Sequence, residues 1–309
     1  MSSSPFRNRR ELAKALSSAE NNNFPNDKWY EEIYHQSGHA KIIGITGAPG
    51  AGKSSLINLL IKEFRSKSMR VAVLAIDPSS PFSGGAILGD RTRMTLSAED
   101  PSVFIRSSAS RGKLGGLSPR TPEMIHILDA DKFDIIIIET VGVGQGELDI
   151  MKCAHVVGLV LSPHTGDGMQ ALKAGILEIA DLYILNKSDL TGINDLEKDL
   201  LSSLMLSHDV KPILRTSVQN NEGISSLSDK LLEIHSTLEN EGKLSKRIEK
   251  SIEFEFYYNL REELLNTIES QDTFSKELDK LKKKLKQKSI SPQKGSKEIV
   301  KLLLKKLQS

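Results

Sequence analysis

The stretch Ile42-Ile43-Gly44-Ile45-Thr46-Gly47-Ala48-Pro49-Gly50-Ala51-Gly52-Lys53-Ser54-Ser55-Leu56-Ile57 decides the fold of this chain. A β-branched apolar run passes into a glycine-rich loop, and the loop passes into a helical pattern. Gly47 to Ser54 fits G-x-x-x-x-G-K-[ST], and the flanking strand and helix supply the context that makes the motif specific. The glycines permit a tight loop whose backbone N–H groups point inward at phosphate oxygens. The helix N-terminus adds donors and partial positive charge. Gly47, Ala48, Pro49, Gly50, Ala51, Gly52, Lys53, Ser54 and Ser55 are therefore the candidate nucleotide-binding residues. Lys53 is placed to reach the β/γ-phosphates, and the Ser54 hydroxyl to meet Mg²⁺.

Working outward, short apolar runs recur at Val71–Ile76, Val103–Ile105, Ile135–Ile138, Val156–Leu161, Leu182–Leu185 and Ile213–Leu214. They are mostly continuous rather than alternating, as strands buried on both faces are. Helix-sized intervals separate them, so βαβ units and a mainly parallel, doubly wound α/β sheet are predicted. The reading divides the chain into an N-terminal helical extension at 1–40, a P-loop domain at 41–240 and a C-terminal helical extension at 241–309.

Ligands of a doubly wound sheet bind at the carboxyl ends of its strands. Asp77 ends the second run and Glu139 the fourth, where both can hold Mg²⁺ directly or through water. Two glycine-rich loops, 83–90 and 141–146, follow those strands and are candidate switches. Asn186-Lys187-Ser188-Asp189 closes the Leu182–Leu185 run. The Asp189 carboxylate can accept from N1–H and the exocyclic amine of guanine, donors that adenine does not present in that arrangement. Ser217, Val218 and Gln219 follow the next run and are placed to close over the base. GTP, not ATP, is the expected nucleotide. Gln145 is a candidate for orienting the attacking water, and Lys53 and Glu139 complete the candidate catalytic set. Arg91, Arg93, Arg106 and Arg111 are all open as charge-stabilising arginines.

Composition bounds the rest. With 38% hydrophobic and 27% charged residues, wholesale disorder is excluded. No run approaches the length of a membrane span. The single cysteine, Cys153, rules out an internal disulfide and suits a reducing cytoplasm. Residues 241–309 carry 17 Lys/Arg against 11 Asp/Glu. A basic tail invites nucleic acid, but a solvated lysine-rich helix face is the commoner meaning, so neither nucleic acid nor membrane is expected as a partner. Leu278, Leu281 and Leu285, then Ile299, Leu302 and Leu303, form two apolar stripes. Pro292 and Gly295 are expected to separate them, and the stripes can dock on the parent domain or on a second subunit.

Taken together these residues resemble the MeaB/ArgK/MMAA GTPases, chaperones of cobalamin-dependent acyl-CoA mutases such as methylmalonyl-CoA mutase. The resemblance rests on GITGAPGAGKSSL at 44–56, AIDPSSPFSGGAILGDRTRM at 75–94, ETVGVGQ at 139–145 and GDGMQALKAGILEIADLYILNKSDL at 166–190. The helical NRRELAKALSSAEN at 8–21 resembles the family's opening helix. It implies a homodimeric GTPase that gates cofactor loading and protects the mutase. It also implies Mg²⁺ surrounded by Ser54, Asp77, Asp90 and Glu139, and a loop from His164 to Lys173 that communicates with the mutase. A GTP-dependent metal-insertion chaperone would share the fold, but Cys153 and His155 lack further ligands, and His126, His155 and His164 show no ligand spacing. Cys153 reads instead as the packed approach to the strand at Val156. A small-molecule kinase would need an acceptor pocket with a base, and none is identifiable.

Overall fold

Runs such as Ile135–Ile138 have no polar face to offer water, so they form strands only where helices cover both sides. The computed structural model describes residues 4–77, 100–109, 117–118, 120–140, 149–163, 176–205 and 211–307. Its strands are β1 (Lys41–Gly47), β2 (Val71–Asp77), β3 (Val103–Ala109), β4 (Ile135–Thr140), β5 (Val156–Leu161), β6 (Leu182–Leu185) and β7 (Ile213–Arg215). They form one seven-stranded sheet in the order β3-β2-β4-β1-β5-β6-β7. Every pairing is parallel. The doubly wound α/β fold read from the sequence is the fold of the chain.

Period-two alternation sorts each strand between two cores. On one face Ile42, Ile136, Ile138, Val157 and Leu159 pack with Leu12 and Leu16 of α1 (Arg9–Glu20). Met124, Ile127 and Leu128 of α4 (Thr121–Ala130) complete that layer, and α2 (Asp27–Gln36) also packs on α4. On the other face Ile43, Ile45, Ile135, Ile137, Val156 and Val160 meet Leu56, Leu60 and Phe64 of α3 (Lys53–Ser66). Leu227 and Leu231 of α6 (Ile224–Asn240) join them. Helix α5 (Ile193–Leu204) lies between β6 and β7 in sequence. At about 25 cal/mol per Å² of apolar surface buried, two such layers supply the main driving force for this unit.

Two elements go beyond the sequence reading. Strand β3 runs past Ile105 through the polar Arg106-Ser107-Ser108, because Glu20 at the end of α1 takes up its polar side chains. Arg106 donates to Glu20 Oε2 at 2.7 Å and Ser108 to Oε1 at 2.8 Å. Helix α2 was not foreseen. Its signal is Asn26, whose side chain caps it by accepting from the Trp29 N–H at 2.8 Å.

The chain divides into two compact units, Met1–Ser251 and Ile252–Ser309. The division falls inside α7 (Lys243–Ser270), not at residue 241 where the composition shifts. The second unit holds the rest of α7 with α8 (Asp272–Lys286) and α9 (Pro292–Leu307). Its buried residues are Ile268, Phe274, Leu281 and Ile299, with Leu278, Leu302 and Leu303 packed on them. The two apolar stripes thus pack within this unit. Pro292 opens α9, where its missing N–H costs nothing. Gly295 lies inside α9, buried, with a built Cβ 3.9 Å from the Leu285 methyls, so the break between the stripes falls at 287–291 and not at these two residues.

Candidate functional site

The parallel register brings the carboxyl ends of β1 and β4 together, with Ile45 opposite Glu139. Beyond β1 the chain must turn sharply into α3, and two glycines make this possible. Gly47 has φ +138°, and a Cβ there would fall 2.2 Å from the Val160 carbonyl oxygen. Gly52 has φ +91°, and its Cβ would fall 2.5 Å from Asn186 Nδ2. The backbone therefore passes where no side chain fits.

Lys53, only 8% exposed, folds back over this loop. Its Nζ donates to the carbonyls of Gly47 at 2.6 Å and Ala48 at 2.9 Å. Its cationic head is thereby held at the mouth of the loop. Ser54 Oγ donates to Glu139 Oε1 at 2.6 Å, and Glu139 is buried. A hydroxyl and a carboxylate in contact at the loop's edge are hard oxygen donors, a set that fits Mg²⁺. Below them Thr140 Oγ1 donates to Thr46 Oγ1 at 2.8 Å. This buried bond ties the residue after Glu139 to the residue before Gly47, and fixes strand β4 against the loop.

The guanine-motif residues divide into two roles. Asn186 is buried; its Nδ2 donates to Ala51 O at 2.8 Å and its Oδ1 accepts from Thr216 Oγ1 at 3.1 Å. Lys187 Nζ donates to Gly50 O at 2.8 Å. Both residues act on the phosphate loop, coupling it to β6 and to the segment after β7. Asp189 points otherwise: the Ser217 hydroxyl donates to its Oδ1 and so orients the carboxylate. Ser217 is itself held by paired backbone bonds with Glu222 and by the Asn220 N–H, which donates to its Oγ at 3.1 Å. Val218 and Gln219 lie in the turn so formed. Ser188 N–H donates to Thr216 O at 3.0 Å, which docks the two loops together. Thr216, Thr46 and Thr140 are the positioning residues that sequence reasoning missed. Nothing in their spacing marks them, although Thr216 adjoins Ser217 and Thr140 adjoins Glu139.

The structure thus joins Lys53, Ser54 and Glu139 in one cluster and Asp189 with Ser217 in a second, linked through Asn186 and Lys187. Strand β2 ends on Asp77, whose side chain lies outside the described residues, as do Asp90, Gln145 and the loop from His164 to Lys173. Arg91, Arg93 and Arg111 also fall outside them. Of the four candidate arginines, Arg106 is described. Its guanidinium is bound to Glu20 and to Ser17 Oγ at 3.1 Å, within the helix layer.

His126 and His155 are held in structural contacts. His126 Nδ1 shares a hydrogen bond with Tyr30 Oη at 2.8 Å, and burial lowers its pKa to about 4. His155 Nδ1 accepts from the Ile42 N–H at 3.3 Å. Burial, then His235, Arg247 and Lys41 nearby, lower its pKa to about 3. Among the described residues no group of three or more His, Cys, Asp or Glu is placed to hold a metal ion. Cys153 is buried ahead of β5, as read. No helix among the described residues is long and apolar enough to cross a membrane.

The chain is similar over most of its length to proteins named as GTPases. One, from Pyrococcus abyssi, is 46% identical over 254 residues, covering 80% of this chain and 78% of that protein. The mouse mitochondrial methylmalonic aciduria type A homolog is 33% identical over 258 residues, covering 81% of this chain and 62% of the mouse protein. The crystal structure of a LAO/AO transport system kinase shares the fold with a TM-score of 0.67 at 23% identity, covering 96% of this chain and 93% of the other. The relatives named as GTPases give GTP hydrolysis as the activity of this chain. The profile described as methylmalonyl-CoA mutase-associated GTPase MeaB matches residues 12–273, and this chain belongs to that family.

Proposed function

We propose that this chain is a slow, partner-stimulated GTPase chaperone that gates cofactor loading into a cobalamin-dependent acyl-CoA mutase, such as methylmalonyl-CoA mutase, and protects it. The observation that carries the reading is the linkage of the base-reading and phosphate-binding loops through Asn186, Lys187 and Thr216. A base selected at Asp189 thereby bears on the loop that holds the phosphates. The family's description supports the mutase as partner.

In this reading the backbone of Gly47–Gly52 and the Lys53 ammonium hold the β/γ-phosphates. Asp189 accepts the two guanine donors, and Ser217, Val218 and Gln219 cover the base. Ser54, Glu139, Asp77 and Asp90 would hold Mg²⁺, which neutralises charge on the phosphates when bound. Gln145 would orient the attacking water. Arg106 is committed elsewhere, so intrinsic turnover lacks that contribution, and an arginine supplied late or by a partner is worth about 10³–10⁵ in rate.

The homodimer draws support from α7, where Ile252, Phe256, Tyr257, Leu260, Leu264 and Leu265 are all exposed. Large apolar side chains in a row on one helix mark an interaction surface, and a second copy is the proposed occupant. The single cysteine supports a cytoplasmic location. Metal insertion draws no support from the described residues, and kinase activity none from an acceptor site.

The test is GTP turnover and cobalamin loading with and without purified methylmalonyl-CoA mutase. Stimulated turnover and nucleotide-dependent loading are the expected results. Turnover indifferent to the mutase would refute the chaperone reading while leaving the GTPase intact.

A further inference from the structure

The family profile stops at residue 273. From there to the end the chain carries twelve lysines, no arginine and three acidic residues, Glu277, Asp279 and Glu298, a balance of +9. The preceding 273 residues hold 30 basic against 37 acidic side chains, a balance of −7. The basic segment is folded. Phe274, Leu281 and Ile299 are buried together between α8 and α9, so the apolar stripes face each other and the lysines are left outside.

On α9, Lys294, Lys297 and Lys301 are exposed and follow one another at i,i+3 and i,i+4, forming one stripe on the side away from Ile299. On α8, Lys283, Lys284 and Lys286 are exposed, with Lys288 just beyond its end. Lys280 pairs with Glu277 at 3.1 Å and Lys282 with Asp279 at 3.9 Å. Among the described side chains, Lys276, Lys283, Lys284, Lys286, Lys288, Lys294, Lys297 and Lys301 have no carboxylate partner. Like charges at i,i+4, such as Lys280–Lys284 and Lys297–Lys301, destabilise a helix. An ion-pair network that adds thermal stability needs both signs. Glu298, four residues after Lys294 and three before Lys301, is the one acidic residue of α9, so this face is strongly though not wholly basic and presents a positive field to an external negative charge.

The composition selects among possible counter-charges. Protein interfaces are depleted in lysine and built on Tyr, Trp and Arg anchors, and no aromatic residue follows the buried Phe274. A bilayer surface rewards an exposed apolar face with aromatic anchors. Here the stripes are consumed in the hairpin, and among the described side chains Val300 and Leu304 are the exposed large apolar residues of α9. The same hairpin of a second copy would bring the same sign. A phosphate polymer needs only closely spaced point charges, because release of its condensed counterions drives binding.

We propose that the lysine-bearing outer face of the α8–α9 hairpin binds the phosphate backbone of double-stranded nucleic acid without sequence preference. The experiment titrates the full chain, and its Lys294→Gln/Lys297→Gln/Lys301→Gln variant, into a labelled mixed-sequence DNA duplex of about 24 base pairs between ~50 and ~200 mM salt. Each phosphate contact adds about 0.9 to the slope of log K against log salt, so the variant should flatten that slope by about 2–3 and bind at least about tenfold more weakly at ~50 mM. Its helix content and GTP turnover should match wild type, since none of the three residues belongs to the nucleotide site. Equal binding by both proteins, or none by wild type at the lowest salt, would overturn the proposal and return these lysines to a solvated face. Tighter binding of phosphatidylserine vesicles or polyglutamate at the same ionic strength would overturn it in favour of an anionic membrane or an acidic protein.

Discussion

The sheet unit and the helical hairpin treat polar side chains in opposite ways. In the sheet unit Lys53, Glu139 and Asn186 are buried, and each makes short bonds to named partners. In the hairpin the charged groups are exposed and most lysines make no ion pair among the described residues. Buried polar groups must be satisfied, so the sheet unit's geometry is specified atom by atom. Exposed charges act only as a field, so the hairpin's lysines set a density of charge and no particular contact.

Single substitutions should divide along that line. The largest effect belongs to Lys53→Ala. It removes the charge held against the phosphate loop and should cut GTP turnover by about 10³-fold or more, with triphosphate affinity lost alongside. Turnover within a few-fold of wild type would dissolve the claim that the sheet unit's buried charge is its working part.

Next comes Asp189→Asn, which turns an acceptor into a mixed donor–acceptor. Two hydrogen bonds to a charged group are at stake, about 1.5–3 kcal/mol each, so GTP affinity should fall by roughly 10²-fold or more. Xanthosine triphosphate should gain. Competitive titration of GTP, ATP and XTP reads this directly, and an unchanged preference for GTP would move base selection away from Asp189.

Acid separates the units further. His126 and His155 have folded pKa values of about 4 and about 3, below the ordinary 6.5. As pH falls below 6.5 the unfolded chain takes up protons that the folded chain refuses, so stability falls through that window towards the folded values. Between pH 7 and 5.5 each should cost on the order of 1 kcal/mol. Residues 252–309 contain no histidine. Urea midpoints at the two pH values should drop for wild type and drop less for His126→Gln. Equal drops would mean that His126 protonates freely in the native state.

The smallest effect should come from the hairpin. Lys297→Gln removes one like-charge neighbour of Lys301 and should raise helix stability by a few tenths of a kcal/mol at low salt. The gain should vanish at about 1 M salt, where screening reaches within about 3 Å. Thermal unfolding at both ionic strengths measures it. A loss of stability at either would place Lys297 in a specific contact and erase the contrast with Lys53.

What the sequence alone determined follows from local chemistry. Seven apolar runs became the seven strands, and central runs such as Ile135–Ile138 are buried throughout because they have no polar face, while the edge strand β7 is only partly buried. The turn at Gly47–Gly52 was legible because only glycine can pass so close to Val160 and Asn186. What the tertiary structure decided is everything that depends on which strands are neighbours. The pairing of β1 with β4 set Glu139 against Ser54 and Thr140 against Thr46. The pairing of β6 with β7 put Thr216 and Ser217 against Asn186 and Asp189. It turned Asn186 toward the phosphate loop, although its motif reads as base recognition. Nothing local to Arg106 marks its partner, Glu20, which lies 86 residues earlier. These bonds join residues far apart in the chain, and no local periodicity or spacing records them.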